Sequence, residues 1–233
     1  LLTLRRGAKR NRVVLGRVQH QAKPLDPYPT YAFAVGGPKN IRALNVIADN
    51  DGVVRRLPYL LPIRNPQGGI GYEPSFSFEM AARALGRSLT APANESVLLD
   101  FDTRAGAIPT YSLADLLACA DSGRADYFRS AFAGRVVLVG TALDVEDRKL
   151  TSMRFATEPE GQAQPARCVL PIMTELYSGL RRDTVPGVYV QATAIDNILS
   201  GGGLRVLERW QAMALSFALA LAGAAAAVFA RPL

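Results

Sequence analysis

We predict an α/β layered domain with a mainly parallel sheet, followed by one transmembrane helix. Strand-like and helix-like segments alternate along the chain, as they do in layered α/β domains. The run GRVVLVG at 134–140 is apolar beyond its arginine, rich in β-branched residues and bounded by glycines. Such a run is typical of a central strand that is buried on both faces. The segment from Trp210 to Ala230, WQAMALSFALALAGAAAAVFA, carries no charge.

Each predicted strand is a run of β-branched or aromatic residues between turn-forming residues. The runs are RVVLGRV at 12–18, ALNVIAD at 43–49, VVRRLPYLLP at 53–62, SVLLDFD at 96–102, GRVVLVG at 134–140 and GVYV at 187–190. Asn50, Asp51 and Gly52 separate the second run from the third. Because Asn and Gly tolerate the positive φ of tight turns, we expect these two runs to pair as a hairpin.

The predicted helices combine apolar residues at helical spacing with suitable terminal residues. They cover 73–86, 113–120, 125–132, 170–180 and 191–203. Pro74 suits the first turn of a helix, and Gly86 suits a C-terminal cap. Ser112 stands where it can cap the second helix. Apart from 170–180, the segment 144–186 is expected to be irregular, because it is rich in proline, glycine and charged residues.

The charge-free segment is long enough to cross a bilayer, since as a helix it measures about 31 Å. Trp210 suits an interfacial position, and Arg209 and Arg231 flank the segment. A buried helix of a soluble domain is the alternative, but such a helix normally keeps a polar stripe. The start, LLTLRRGAKR, has neither an initiating Met nor a signal peptide, so we expect a fragment with its N-terminal part truncated. We divide the chain into a body at 1–204, a linker at 205–209 and a transmembrane helix at 210–230.

Composition disfavours several classes of protein. The formal net charge is +7, but apart from 5–12 the basic residues are scattered and form no stripe with aromatics, so we expect no nucleic-acid partner. Cys119 and Cys168 are too few for a disulfide scaffold or a zinc site. A disulfide between them in an oxidising compartment and simple packing of Cys119 both stay open. With His20 as the single histidine, we predict neither a metal site nor a cofactor.

The stretch ADNDGVVRRLPYLL at 48–61 can be interpreted as a calcium loop, a hairpin or a family signature. A calcium loop needs glycine at its sixth position, whereas Gly52 comes fourth in DNDG. Arg55 and Arg56 follow, and they would oppose a divalent cation. A hairpin fits the turn residues. On a strand only one of the two arginines points inward, and it would need a buried carboxylate, for which Asp147 is the candidate.

Five segments carry a family resemblance. They are DNDGVVRR at 49–56 with the helix EPSFSFEMAARALG, IPTYSLADLL, FAGRVVLVGTALDVEDRKLTS and VPGVYVQATAIDNILSGG. In order and spacing, over roughly 11–204, the chain resembles the second class of the CHASE domains, the cyclase/histidine-kinase-associated sensory extracellular domains. Two departures matter. Gln191 and Ala192 stand where the family usually has His-Ala, so no role of that histidine is carried over, and the segment 151–185 is longer than the motif requires.

The resemblance implies an extracytoplasmic signal-sensing domain of a bacterial transmembrane receptor. It implies a homodimer in the cytoplasmic membrane, with the body on the periplasmic side and a nucleotide cyclase or a kinase as the output domain outside this chain. For this part of the protein it implies no enzymatic activity. A membrane-anchored α/β hydrolytic enzyme or a protein-interaction scaffold is the alternative.

We place the candidate ligand site at the end of the predicted strand 134–140, because crevices of parallel sheets form at the carboxyl ends of strands. The candidate residues for a small-molecule or environmental signal are Thr141, Asp144, Asp147 and Arg148, with a solvated loop as the alternative. We assign a structural or signalling role to Asp49, Asp51, Gly52, Arg55, Arg56, Gly140, Pro186, Gly187 and Asn197. No catalytic residue is predicted.

Overall fold

The structure is a computed structural model, which describes residues 1–20, 23–64, 69–91, 95–101, 108–141, 147–152, 167–169, 184–201, 204, 207 and 209–229. The chain divides into two compact units, a body at Leu1–Gly203 and a tail at Leu204–Leu233. The predicted helix at 170–180 and the candidate residue Asp144 lie outside the described residues.

Four of the six described helices of the body lie where helices are predicted, with limits that differ by a few residues, whereas the helices at Leu2–Lys9 and Pro29–Ala34 are not predicted. The six helices are α1 (Leu2–Lys9), α2 (Pro29–Ala34), α3 (Phe76–Ala84), α4 (Leu113–Asp121), α5 (Ala125–Phe132) and α6 (Gly187–Ser200). The Ser75 hydroxyl caps α3 by accepting a hydrogen bond from the Phe78 amide (3.4 Å). Ser112 is the N-cap residue of α4, but its side chain makes no capping hydrogen bond. Gly201 ends α6 in the left-handed conformation (φ 64°), which glycine adopts at little cost.

The described strands form several small, mostly antiparallel sheets. They are β1 (Leu15–His20), β2 (Lys23–Leu25), β3 (Ile41–Ala43), β4 (Arg56–Pro58), β5 (Leu60–Arg64), β6 (Ile70–Pro74), β7 (Ser96–Leu98), β8 (Arg148–Leu150) and β9 (Thr184–Pro186). Only the pair β1–β3 is parallel among them, whereas β1–β2, β4–β7, β5–β6 and β8–β9 are antiparallel. The fold is thus mixed α/β as predicted, and the prediction of a mainly parallel sheet is wrong for the described part of the chain.

Three strand predictions fail for identifiable reasons. Residues 134–140 are not in a strand, and Val137 and Val139 are 48% and 86% exposed rather than buried. GVYV lies in the first turn of α6, because the chain turns into the helix directly after Pro186. The runs on either side of Gly52 do not form a hairpin ladder, since β4 pairs with β7 instead. For β4 the pairing partner, which the local pattern does not show, decides the structure. A fourth run, 43–49, lies in a strand only at Ala43.

The core of the body lies where α6 packs on β4 and β7. It consists of Val54, Leu57, Val97, Leu99, Phe101, Val190 and Ala194, with Val46, Tyr59 and Ile198 packed against it. Val190 and Ala194 are one turn apart on α6 and are completely buried. Complete burial of a side chain such as Leu57 stabilises the fold by about 1.5–3 kcal/mol. The other main contact of α6 is with α3, so this helix is held from two sides.

The tail contains the helix α7 (Arg209–Phe229). Within the described residues, Arg209–Ala227 is a helix long and apolar enough to cross a membrane, judged by length and composition alone. Its large side chains, among them Trp210 and Phe217, are exposed rather than packed into a soluble core.

Candidate functional site

The segment 49–56, which we call the Asp–Arg turn, is a tight turn closed by its own backbone. The Asp49 amide donates to the Val53 carbonyl oxygen (2.9 Å), and the Gly52 amide donates to the Asp49 carbonyl oxygen (2.9 Å). Gly52 has φ 78°, a conformation that side chains other than glycine rarely adopt. The Asp51 carboxylate also accepts a hydrogen bond from the Val53 amide (3.1 Å). The predicted turn is therefore present without the predicted hairpin.

The two arginines of the Asp–Arg turn bind the two aspartates of the same turn. Arg55 Nη2 lies 2.6 Å from Asp51 Oδ2, and Arg55 Nη1 lies 3.1 Å from Asp49 Oδ2. Arg56 Nε lies 3.5 Å from Asp49 Oδ1. The predicted pairing of one arginine with Asp147 is wrong, because these nearer carboxylates bind the guanidinium groups. Hydrogen bonds from Arg55 first, and from the Val53 amide second, lower the pKa of Asp51 from 3.8 to about 2.

Both ends of the segment 140–147 lie against the first turn of α6. Gly140 lies so close to Val188 that an added side-chain carbon would be 2.9 Å from Val188 Cγ2. At the other end, the Asp147 carbonyl oxygen accepts a hydrogen bond from the Gly187 amide (2.8 Å). A side chain at Gly187 would overlap the Asp147 carboxylate, so the exposed Asp147 side chain would have to move aside. We call this group, with Pro186 before the helix, the α6 entry.

Arg148 fixes the strand that leads into the α6 entry. Its Nε donates to the Thr184 hydroxyl (2.9 Å), and its Nη2 donates to the Thr184 carbonyl oxygen, which ties β8 to β9. The Leu150 carbonyl oxygen in turn accepts a hydrogen bond from the Val54 amide (2.8 Å). A continuous set of backbone contacts therefore runs from the Asp–Arg turn through β8 and β9 to α6.

The predicted ligand residues do not lie at the end of a parallel strand. Thr141 and Asp147 are exposed near the α6 entry, and Asp147 binds Lys149 (Oδ1–Nζ 2.8 Å). Arg148 is part-buried and serves the β8–β9 pair. The described residues contain no cluster of three or more His, Cys, Asp or Glu that could hold a metal ion. The arrangement offers the exposed residues Gly140 and Asp147, both of which lie against the first turn of α6.

Asn197 joins the other half of α6 to the strand β7. Its Oδ1 accepts a hydrogen bond from the Asp100 amide (2.7 Å), and its Nδ2 donates to the Asp100 carbonyl oxygen (3.2 Å). The side-chain amide thus makes the two hydrogen bonds to the Asp100 backbone that a neighbouring strand would make just after β7. Because Asn197 is buried, these two bonds hold α6 in a fixed register against the core.

Gln191, which stands where the resembling family usually has histidine, is buried against the sheet of β1 and β3. Its Nε2 donates to the Leu44 carbonyl oxygen (3.0 Å), and its Oε1 is buried without a hydrogen-bond partner among the described residues. Leu44 in turn donates its amide to the Arg17 carbonyl oxygen (2.8 Å). The side chain therefore links α6 to the sheet through its carboxamide.

The segment 167–169 is anchored to α4 by a group that the sequence does not predict. Cys119 and Cys168 form a disulfide, which resolves the choice between bridging and simple packing. Asp115, only 2% exposed, accepts hydrogen bonds from the amides of Cys168 and Val169 at 3.0 Å each. The available signal was the spacing of Asp115 and Cys119, which puts both side chains on one face of α4.

Comparison with known protein families identifies the chain. The family described as the CHASE2 domain matches residues 3–225. The chain belongs to the CHASE2 family. The match is wider than the segments that carried the resemblance, since it includes most of α1 and of α7.

CHASE2 is a family of extracellular sensory domains and not of catalytic ones, so a sensing role fits this chain and an enzymatic role does not. This CHASE2 domain also carries an apolar helix that could span a membrane, which suggests a membrane-anchored protein. No curated protein matches the chain, and no solved structure does. The Asp–Arg turn, the α6 entry and Asn197 are therefore interpreted from their own geometry.

Proposed function

We propose that this CHASE2 domain senses a small molecule or environmental signal outside the cytoplasmic membrane and relays its state through α7 to a cytoplasmic output domain. The output domain, which we expect to be a nucleotide cyclase or a kinase, lies outside this chain, and the working unit is a homodimer. The observation that carries the proposal is the position of α6. The exposed residues Gly140 and Asp147 lie against its first turn, the core packs along its length, and the chain continues into the tail after its last turn.

The disulfide supports a location outside the cytoplasm. Disulfides form and persist in the oxidising environment of the periplasm or the cell exterior and are rare in the cytosol. Cys119 is completely buried, so its bridge to Cys168 is part of the interior of the body. A body on the outer side and an output domain on the inner side require a span between them, and α7 has the length and composition for it.

The proposed relay is a shift between two conformations. A ligand that binds the loop better in one conformation changes the populations of both, by as much as its affinities for the two states differ. Because Gly140 and Asp147 contact Val188 and Gly187, a movement of either loop end displaces the first turn of α6. We place the ligand contacts on Thr141, Asp147 and Arg148, of which Thr141 and Asp147 are exposed.

A binding screen tests the site. The full chain in detergent is unfolded thermally with a panel of small organic acids, amino acids, amines and sugars. A ligand present at a hundred times its Kd stabilises the folded state by about 2.7 kcal/mol, which is a measurable shift of Tm. Thr141→Val should reduce the shift of a genuine ligand, whereas the matched control Thr90→Val, at an exposed position elsewhere, should leave it unchanged. A ligand whose shift both variants preserve binds elsewhere and contradicts the assigned site.

The relay has a separate test in the full-length receptor. Deleting the glycines Gly201, Gly202 and Gly203 changes the length and the rotational phase between α6 and α7. The output activity with and without ligand should then differ from that of the unaltered receptor. An unchanged response would show that the signal does not pass from α6 to α7 along the chain.

A further inference from the structure

The net charge of the protein is concentrated in its first residues. The chain has 27 Lys and Arg against 20 Asp and Glu, and residues 1–25 contain no carboxylate. The cations in this range are Arg5, Arg6, Lys9, Arg10, Arg12, Arg17 and Lys23. Residues 26–233 therefore contain 20 cations against 20 carboxylates, so the whole formal charge of +7 belongs to residues 1–25. Solubility alone does not require the excess cations to be concentrated in one part of the chain.

The helix α1 presents three of these cations to the surroundings, whereas Arg17 is part-buried and paired with Glu73. No residue of α1 is buried, and Arg5, Arg6 and Lys9 are all exposed. Leu1 and Leu2 are exposed at the same end of the helix. A short helix that combines basic and apolar exposed side chains is the kind of element that lies at a membrane surface.

The neighbouring helix α2 adds exposed aromatic rings. α1 contacts α2, and Tyr28, Tyr31 and Phe33 are 69%, 51% and 82% exposed. Tyr28 and Tyr31 contact each other edge to face, with ring centroids 6.2 Å apart. Aromatic rings suit the interface between lipid headgroups and acyl chains, where one end of the side chain is apolar and the other is wet.

We propose that residues 1–12 and 28–33, the basic–aromatic face, dock on the surface of an anionic lipid bilayer. Guanidinium and ammonium groups bind headgroup phosphates, and the tyrosine and phenylalanine rings enter the headgroup region. The chain itself favours this occupant, because only the eight residues 201–208 separate α6 from α7, the helix proposed to cross the membrane. A second copy is disfavoured, because two basic faces repel each other.

This inference depends on α7 crossing the membrane but not on the identity of the signal. The full chain is reconstituted in two kinds of nanodisc, one of phosphatidylcholine alone and one that also contains about 30% phosphatidylglycerol. This assay fraction of anionic lipid is roughly physiological. Hydrogen–deuterium exchange is then followed at residues 1–12 and 28–34. Failure of the chain to enter nanodiscs would count against the span, and so against this inference too, whereas entry without docking would count against this inference alone.

We expect slower exchange at the basic–aromatic face in discs that contain phosphatidylglycerol. This protection should be lost in 1 M salt, an assay concentration at which charges are screened within about 3 Å. The variant Arg5→Gln/Arg6→Gln/Lys9→Gln should reduce the ratio of docked to undocked protein roughly a hundredfold, at about fivefold per cation. A matched variant, Arg87→Gln/Arg129→Gln/Arg135→Gln, removes the same charge from exposed positions elsewhere and should keep the protection.

A second variant, Phe33→Ser, tests the aromatic contribution without changing the charge. Exchange along α6 serves as the measure of folding in every variant. Equal exchange in both kinds of disc, or protection that appears only when a disc holds two copies, would overturn the proposal. The second outcome would assign the face to contact between copies.

Discussion

Removing the disulfide between Cys119 and Cys168 tests how the segment 167–169 is held to α4. The bridge joins residues separated by 49 positions, so it restricts a long loop in the unfolded chain. The loop-entropy relation gives about 4 kcal/mol for a loop of this size. Asp115 keeps its two hydrogen bonds to the segment in the folded state, and these do not replace the restriction on the unfolded state. We therefore expect reduction to destabilise the body by about 2–4 kcal/mol.

Pulse proteolysis in urea measures this change on the intact chain in detergent, because the protease cleaves only the unfolded body. With a denaturant slope of about 2–3 kcal/mol per molar urea, the midpoint should fall by roughly 0.7–2 M on reduction. Reduced wild-type protein and the variant Cys119→Ala/Cys168→Ala should behave alike, apart from a small packing loss at the buried Cys119.

Two results would refute the reasoning. One is an unchanged midpoint after reduction, which would show that the bridge does not restrict the unfolded chain as a loop. The other is the titration of two free thiols in protein exported to the periplasm before any reductant is added.

Three further predictions concern α6 and the Asp–Arg turn. Gly140→Ala should destabilise the body by about 1–2 kcal/mol, because the added carbon would press on Val188, whose branched side chain has little freedom to move. Asn197→Ala should cost about 2–4 kcal/mol, since it leaves the amide and carbonyl groups of Asp100 without their partner; urea unfolding measures both changes. The pKa of Asp51 is lowered to about 2 in the folded state, so its contribution to stability is present above about pH 4 and is lost as the pH falls towards 2. The difference in Tm between wild type and Asp51→Asn should therefore shrink between pH 5 and pH 2.

Each of these predictions has its own control. Val188→Ala should restore most of the stability lost in Gly140→Ala, and a failure to do so would place the cause outside this contact. Asn197→Asp keeps the shape but loses the donor, so it should remain destabilised; wild-type stability of either Asn197 variant would contradict the register role. A pH-independent difference for Asp51→Asn would show that its carboxylate gains nothing from Arg55.

The elements that the sequence predicts well are those whose causes are local. The limits of α5 agree with the predicted 125–132, because helical spacing is visible within one segment. Gly52 in its left-handed conformation and Gly201 after α6 are likewise local consequences of glycine. The helix at 209–229 agrees for the same reason, since length and lack of charge are properties of the segment itself.

Distant partners explain most of the rest. Val137 and Val139 have the residue types of a buried strand, but residues 134–140 lie in none of the described ladders. Asn197 contacts a backbone 97 positions away, and no pattern near it indicates that partner. The partners of Asp115 are equally hard to predict, because the amides that donate to it lie 53 and 54 positions further along the chain. For the arginines a distant partner, Asp147, was predicted, whereas Arg55 binds the nearby carboxylates Asp49 and Asp51.

The two hydrogen bonds at Asn197 limit how α6 can move. A shift of the helix by one residue in register, which combines a rise of about 1.5 Å with a rotation of about 100°, would turn the carboxamide away from Asp100 and break both bonds together. The two hydrogen bonds therefore resist a small displacement of α6 relative to β7, unless β7 moves with the helix. We therefore expect α6 to move in steps rather than by degrees, so single-molecule recordings of the body should show discrete levels.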